Sequence, residues 1–293
     1  MTTPVTGPLS LAHSSCPNDT FVFHAWTHGL LPGAPPVTVT FADVDVTNTA
    51  AQRGRFDVVK VSYAALPWLL GEYALLPSGG ALGRGCGPLV LAPAGVRQMG
   101  TAGVRQSGTA GADPAALRGA RVAVPGDRTT AYLLFRLWSK DITPSTVDIV
   151  PFEKIMPAVA EGRYDAGLVI HEARFTYPGY GLTCLADLGE WWEAETGLPI
   201  PLGAILARRS LPVDRLAAVV RASVEYAWAH PTVSAGYVAE HAQEMAPQVQ
   251  RQHIGLYVNE LTRDLGEDGY AAAEALLHRA AAAGLTPPCP ALR

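Results

Sequence analysis

The stretch "PLGAILARRSL" (201–211) decides the fold. It is an apolar strand that runs out into paired arginines, and in shape and composition it matches "GPLVLAP" (87–93) far upstream. Between the two lies a complete strand–helix series. "ARVAVPG" (120–126), "STVDIVPF" (145–152) and "YDAGLVI" (164–170) read as strands, while "DRTTAYLLFRLWSKD" (127–141) and "FEKIMPAVAEGR" (152–163) read as helices. Similar strands bracketing an α/β block imply that the chain leaves one domain, builds a second, and returns. The expected fold is α/β, two domains with a double crossover and a ligand cleft between them. Domain I takes residues 1–92 and 205–293, domain II takes 114–204, and a flexible insert takes 93–113.

The outer segments keep the same rhythm. "LSLAHS" (9–14), "PVTVTFAD" (36–43) and "FDVVKVS" (56–62) read as strands, with helices expected in "DTFVFHAWTHG" (19–29) and "DVTNTAAQRGR" (45–55). Asp19 is a plausible N-cap and Gly29 a plausible stop for the first helix. This βαβ alternation is that of a parallel sheet covered by helices. "LPSGGALGRGCGPLVLAP" (76–93) reads as a glycine-rich loop followed by a strand, and "LADLGEWWEAETG" (185–197) as a helical segment. The remainder is helical, including "DRLAAVVRASVEYAWAHP" (214–231), which stops at its proline. The insert holds "AGVRQMGT" and "AGVRQSGT" in tandem, a glycine-rich duplication too short to form a solenoid.

Composition narrows the function. Hydrophobic residues make up 48% of the 293, charged residues 16%, and the net charge is −4, which argues for a globular chain and against general nucleic-acid binding. The four cysteines are scattered, so neither a disulfide framework nor a zinc site is expected. Residues 1–15 lack the basic and apolar regions of a signal peptide, and no apolar run is long enough to span a membrane. A cytoplasmic protein is expected, without a membrane partner.

Ligands of open α/β sheets gather beyond the carboxyl ends of the strands. Four such ends carry polar groups that packing does not require: "HSSCPNDT" (13–20), "KVSYA" (60–64), "PGDRTTA" (125–131) and "IHEAR" (170–174). Hydroxyls and free N–H groups at helix starts favour an anion. Ser62 and the Thr129–Thr130 pair fall one in each expected domain, and together could clamp an acidic small molecule. Each also reads as an ordinary N-cap, as Asp19 does beside a catalytic reading. Arg84 reads as a ligand contact or as loop decoration, and Trp191–Trp192 as core more readily than as a stacking platform. His171 ends a strand that reads as buried. With an ordinary pKa of about 6.5 an imidazole is the natural general base at neutral pH. Glu172 or another acceptor would fix its tautomer, although position alone allows a structural role equally. No G-x-S-x-G elbow, H-E-x-x-H helix or dinucleotide fingerprint is present in the right context, and the glycines around Arg84 lack the G-K-[ST] of a phosphate loop.

Taken together, "SSCPNDTF" (14–21), "KVSYAA" (60–65), "SGGALGRGCGPLV" (78–90), "VAVPGDRTTAY" (122–132), "AGLVIHEARFTY" (166–177) and "GLPIPLGAILARR" (197–209) resemble the 1,4-dihydroxy-6-naphthoate synthases of the futalosine route to menaquinone. The likeness keeps motif order over nearly the whole chain, and departs from the family at the duplicated insert. It implies a periplasmic-binding-protein-like fold of type II used as a cytoplasmic lyase, working without metal or organic cofactor. It also implies conversion of cyclic dehypoxanthinylfutalosine to 1,4-dihydroxy-6-naphthoate with release of dihydroxyacetone. By the same resemblance the proton acceptor falls on His171. The substrate contacts fall on Lys60, Val61 and Ser62 and on Thr129, Thr130 and Ala131, and Asp19 is a further catalytic candidate.

Two rivals stand beside this reading. One is a non-catalytic cytoplasmic small-acid binding protein of the same fold, which has no need of a base. The other is the sibling chorismate dehydratase, which "PNDTF" and "IHE" disfavour. A homodimer is left open.

Overall fold

A computed structural model describes residues 7–94, 113–140, 142–242 and 246–293. The tandem duplication, apart from Ala94, and most of the insert expected at 93–113 lie outside the described residues. The chain forms two units, Met1–Gly83 with Pro201–Arg293, and Arg84–Ile200.

The first unit is built from β1 (Leu9–His13), α1 (Pro17–Thr27), β2 (Val37–Phe41), α2 (Val44–Gln52), β3 (Val58–Ser62), α3 (Leu66–Leu69) and β4 (Tyr73–Gly83). The second follows with β5 (Leu89–Pro93), β6 (Arg121–Val124), α4 (Thr130–Trp138), β7 (Thr146–Ile149), α5 (Phe152–Ala160), β8 (Ala166–Val169), α6 (Ala173–Thr176), β9 (Leu182–Asp187) and α7 (Leu188–Thr196). The chain then re-enters the first unit with β10 (Ile200–Arg208), α8 (Val213–Ala229), α9 (Ala235–His241), α10 (Pro247–Tyr257), α11 (Glu260–Arg263) and α12 (Gly266–Ala282).

The two sheets share one plan. Their orders are β2-β1-β3-β10-β4 and β7-β6-β8-β5-β9. In each, three strands run parallel, and the fourth position is filled by an antiparallel strand: β10 against β3 in the first, β5 against β8 in the second. The edge strand β2, "VTVTF", alternates in burial along its length, as a sheet edge with one covered face should. Helix α1 packs against α8, α9 and α10 and is buried on nearly every side, its polar Asn18, Asp19, Thr20 and His24 included, rather than along one stripe. The first core gathers Leu11, Phe23, Trp26, Ile205 and Val220; the second gathers Leu91, Ile155, Val159 and Val169.

Three expectations need correction. The glycine-rich "SGGALG" is not a loop but the second half of β4. A Cβ on Gly79 would lie 2.6 Å from Cγ1 of Val220, and one on Gly80 would lie 2.9 Å from the Gly203 carbonyl oxygen, so the glycines admit close neighbours rather than a turn. Residues 185–187, expected to open a helix, are the end of edge strand β9, and α7 starts only at Leu188. "GPLVLAP", expected in the first domain, supplies β5, whose partners β8 and β9 belong to the second unit. The strand that neighbours β10 is β4 instead.

Candidate functional site

In the first unit β1 and β3 are parallel neighbours, so the start of α1 and the end of β3 both lie beyond strand carboxyl ends. Asp19 does not cap α1: the cap position is Cys16, and Asp19 sits in the first helical turn, fully buried. There it forms an ion pair with Lys60 of β3. A buried lysine survives only when paired, and β10 makes room for this one with a glycine, since a Cβ on Gly203 would lie 2.7 Å from Lys60 Cε. Two further donors reach the same carboxylate. Ser14 Oγ donates to Oδ2 at 2.7 Å and Asn18 Nδ2 donates to Oδ1 at 2.9 Å. Burial alone would raise the Asp19 pKa, but Lys60, His13 and the hydrogen bonds from Lys60 and Ser14 together hold it below the ordinary value. Asp19 is therefore an ionised, occupied acceptor that anchors Lys60, and a poor proton donor.

Ser62 closes β3. Its backbone N–H donates to Asn48 Oδ1 at 2.8 Å, and its hydroxyl accepts from Asn48 Nδ2 at 3.2 Å, which ties β3 to α2. No side-chain cap bond is made by Ser62 to the short 3-10 turn that follows, so the capping alternative does not hold there. Val61, between Lys60 and Ser62, is buried and paired with Ala204. Alongside lies His13, a fully buried imidazole stacked on Phe23 at 4.8 Å, with Nδ1 at 2.8 Å from the Ser14 carbonyl oxygen. Burial drives its pKa down, outweighing the attraction of Asp19, so the ring is neutral at pH 7.

In the second unit β6 and β8 are parallel neighbours, and the helix start after β6 and the turn after β8 again lie beyond carboxyl ends. Thr129 is the N-cap of α4: its hydroxyl accepts from the Tyr132 N–H at 3.2 Å and donates to the Gly126 carbonyl at 2.9 Å. Thr130 and Ala131 form the first buried positions of the helix. His171 follows β8 at φ +54°, and among the described residues it is the single non-glycine residue at positive φ. A left-handed backbone costs a side chain of this size about 1 kcal/mol or more and persists where the surroundings impose it. The surroundings are visible here. Arg174, three residues on, donates to Asp187 Oδ2 at 2.5 Å, and Oδ1 of the same carboxylate caps α7 through the Gly189 N–H at 2.9 Å. The half-buried His171 ring meets Phe152 edge-on at 5.3 Å.

The remaining candidates settle into packing. Arg84 donates to the Gly197 carbonyl at 2.8 Å and pairs loosely with Glu193. Trp192 is core, its indole N–H donating to the Pro199 carbonyl at 3.0 Å. Sequence reasoning did not single out Asn18, Asn48 or Ser14 as individual residues, and nothing in their local pattern marks them: their partners are set by the fold.

Comparison with known proteins gives a coherent picture. Residues 9–282 match a family model described as menaquinone biosynthesis. A 1,4-dihydroxy-6-naphthoate synthase of Streptomyces coelicolor is 61% identical, over 95% of each chain. The corresponding synthase of Thermus thermophilus is 45% identical, over 96% of this chain and 97% of its own. Among solved structures, the alkanesulfonate-binding protein of Xanthomonas axonopodis pv. citri, bound to MOPS, superposes with a TM-score of 0.67. At 15% identity, covering 97% of this chain and 96% of that one, it shows the periplasmic-binding-protein fold alone.

Proposed function

The chain belongs to the menaquinone-biosynthesis family and stands within it among the 1,4-dihydroxy-6-naphthoate synthases, and from that premise we propose how its residues divide the work. It is a carbon–carbon lyase that produces 1,4-dihydroxy-6-naphthoate. The substrate we assign is cyclic dehypoxanthinylfutalosine, an aromatic acid carrying a cyclised sugar portion, with dihydroxyacetone as the second product. His171 takes the proton that starts the cleavage. As that proton leaves, a carbon–carbon bond of the sugar-derived ring opens, and the remaining ring becomes aromatic. Aromatisation supplies driving force, so the protein has mainly to position the substrate and accept one proton on the His171 imidazole. Lys60 and Ser62, with the Thr129–Thr130–Ala131 helix start, hold the acid and the sugar hydroxyls. Asp19 acts through Lys60 rather than on the substrate.

One observation supports the base assignment above the others: a histidine in a costly backbone conformation, its turn pinned by Arg174 and Asp187, at the carboxyl end of a buried strand. Packing alone would be served by a residue without that strain. Incubating purified protein with the cyclic futalosine derivative and following dihydroxynaphthoate by mass spectrometry tests the whole reading. Binding without product would overturn it.

A further inference from the structure

The carboxylate of Asp19 is the end of a longer chain of hydrogen bonds. Beyond Asn18 stands His253 of α10, whose Nε2 lies 3.0 Å from Asn18 Oδ1; both side chains are buried, and they are separated by 235 positions in sequence. The polarity of the chain follows by elimination. An ionised carboxylate only accepts, so Asn18 must turn its amide N–H₂ toward Asp19. Its carbonyl oxygen then faces His253, and that oxygen can only accept. His253 therefore carries its proton on Nε2 and donates. The sequence of donors is His253 to Asn18, Asn18 to Asp19, with Lys60 and Ser14 donating to the same carboxylate.

From this we infer that His253 is a positioning residue for Lys60. It fixes the Asn18 amide, the amide fixes one oxygen of Asp19, and that oxygen sets where the Lys60 ammonium points. An ammonium has three donors, and the ion pair with Asp19 engages one face of it, leaving the others directed by that anchor. Helix α10, which carries no residue of the proposed substrate contacts, thereby sets the geometry of a lysine in β3. The inference rests on the reading of Lys60 as a substrate-binding residue.

The test compares KM and kcat for dihydroxynaphthoate formation in four variants of the full chain. Lys60→Ala raises KM about tenfold or more, as loss of a charge-assisted contact to an acid requires. His253→Ala raises KM in the same direction, with kcat reduced much less. His253→Gln, whose amide N–H₂ can take the place of Nε2–H, restores KM to within about twofold of the parent. The Lys60→Ala/His253→Ala double variant is no worse than Lys60→Ala alone, because both act through one group. Should His253→Ala fail to fold, Asn18→Ser, which cuts the same link and leaves His253 in place, carries the comparison with the same expected KM shift. An unchanged KM in Lys60→Ala overturns the substrate-binding reading itself. A raised KM in Lys60→Ala overturns only the positioning role if it comes with additive losses in the double variant or no recovery in His253→Gln.

Discussion

The two units repeat one strand plan and spend it on opposite kinds of polar group. Beyond β1 and β3 the first unit buries its charge: Asp19 and Lys60 are paired, the carboxylate also accepts from Ser14 and Asn18, and Asn18 is backed in turn by His253. Beyond β6 and β8 the second unit keeps the imidazole proposed as the base half-buried, at a left-handed backbone position, with the Arg174–Asp187 ion pair three residues on. A group that holds an acid benefits from rigidity and a fixed charge. A group that must gain and lose a proton needs access. The same topology accommodates both because the carboxyl ends of parallel strands are open to either.

The largest effect that would sharpen this contrast is on turnover. His171→Asn keeps a residue tolerant of the left-handed backbone and removes the base, so kcat should fall by about 10² to 10⁴ with little change in melting temperature. Near-normal kcat would reverse the roles assigned to the two units. Next in size, Lys60→Met strands a buried carboxylate in the first unit. Denaturant titration should show a loss of about 3–5 kcal/mol, largely recovered in the Asp19→Asn/Lys60→Met double variant. Equal losses in both would mean that the ion pair matters little to the fold.

Acid should act on the first unit through His13 before it acts through Asp19. His13 is held neutral below its ordinary value of 6.5, so as pH falls past that value the unfolded chain binds a proton that the folded chain refuses. Stability is therefore whole above pH 6.5 and declines below it. Asp19, with a lowered pKa, adds its own loss only as pH falls below 3.8. A His13→Phe variant, keeping the stack on Phe23, should flatten the first decline when melting temperature is followed across pH. An unchanged slope would assign the proton uptake elsewhere. The smallest expected change is in the second unit. Thr129→Ala removes the α4 cap and should cost about 1 kcal/mol, while Thr129→Ser should recover most of it.

Much of this was readable before any coordinates, and the misreadings share a cause. Alternating apolar runs placed β1, β3, β6 and β8 and the helices between them, because burial imposes its period locally. The "SGGALG" strand was lost because its glycines answer to Val220 and Gly203, neighbours that exist only after folding. Edge strand β9 was lost because half-buried residues leave a weak pattern. Among the candidate residues, His171, Ser62 and Thr129 could be picked out since strand ends are visible in sequence. The partnership of Asp19 with Lys60 and the positive φ of His171 could not, since one is a long-range pairing and the other a backbone state that no neighbouring residue announces. Asp19 read as a cap for the same reason: a carboxylate ahead of an apolar run looks alike whether its partner is a helix terminus or a distant ammonium.

The insertion of β10 between β3 and β4 sets an order of events on the ribosome. When β1 to β4 have emerged, their sheet still has an unfilled slot in its middle, and β10 is synthesised only after the whole second unit. The second unit, made without interruption, has every strand of its own sheet in hand first. Maturation of this chain thus runs inside out, the segment translated earliest waiting longest for its last strand, and its exposed strand edges must be tolerated, or chaperoned, for that interval.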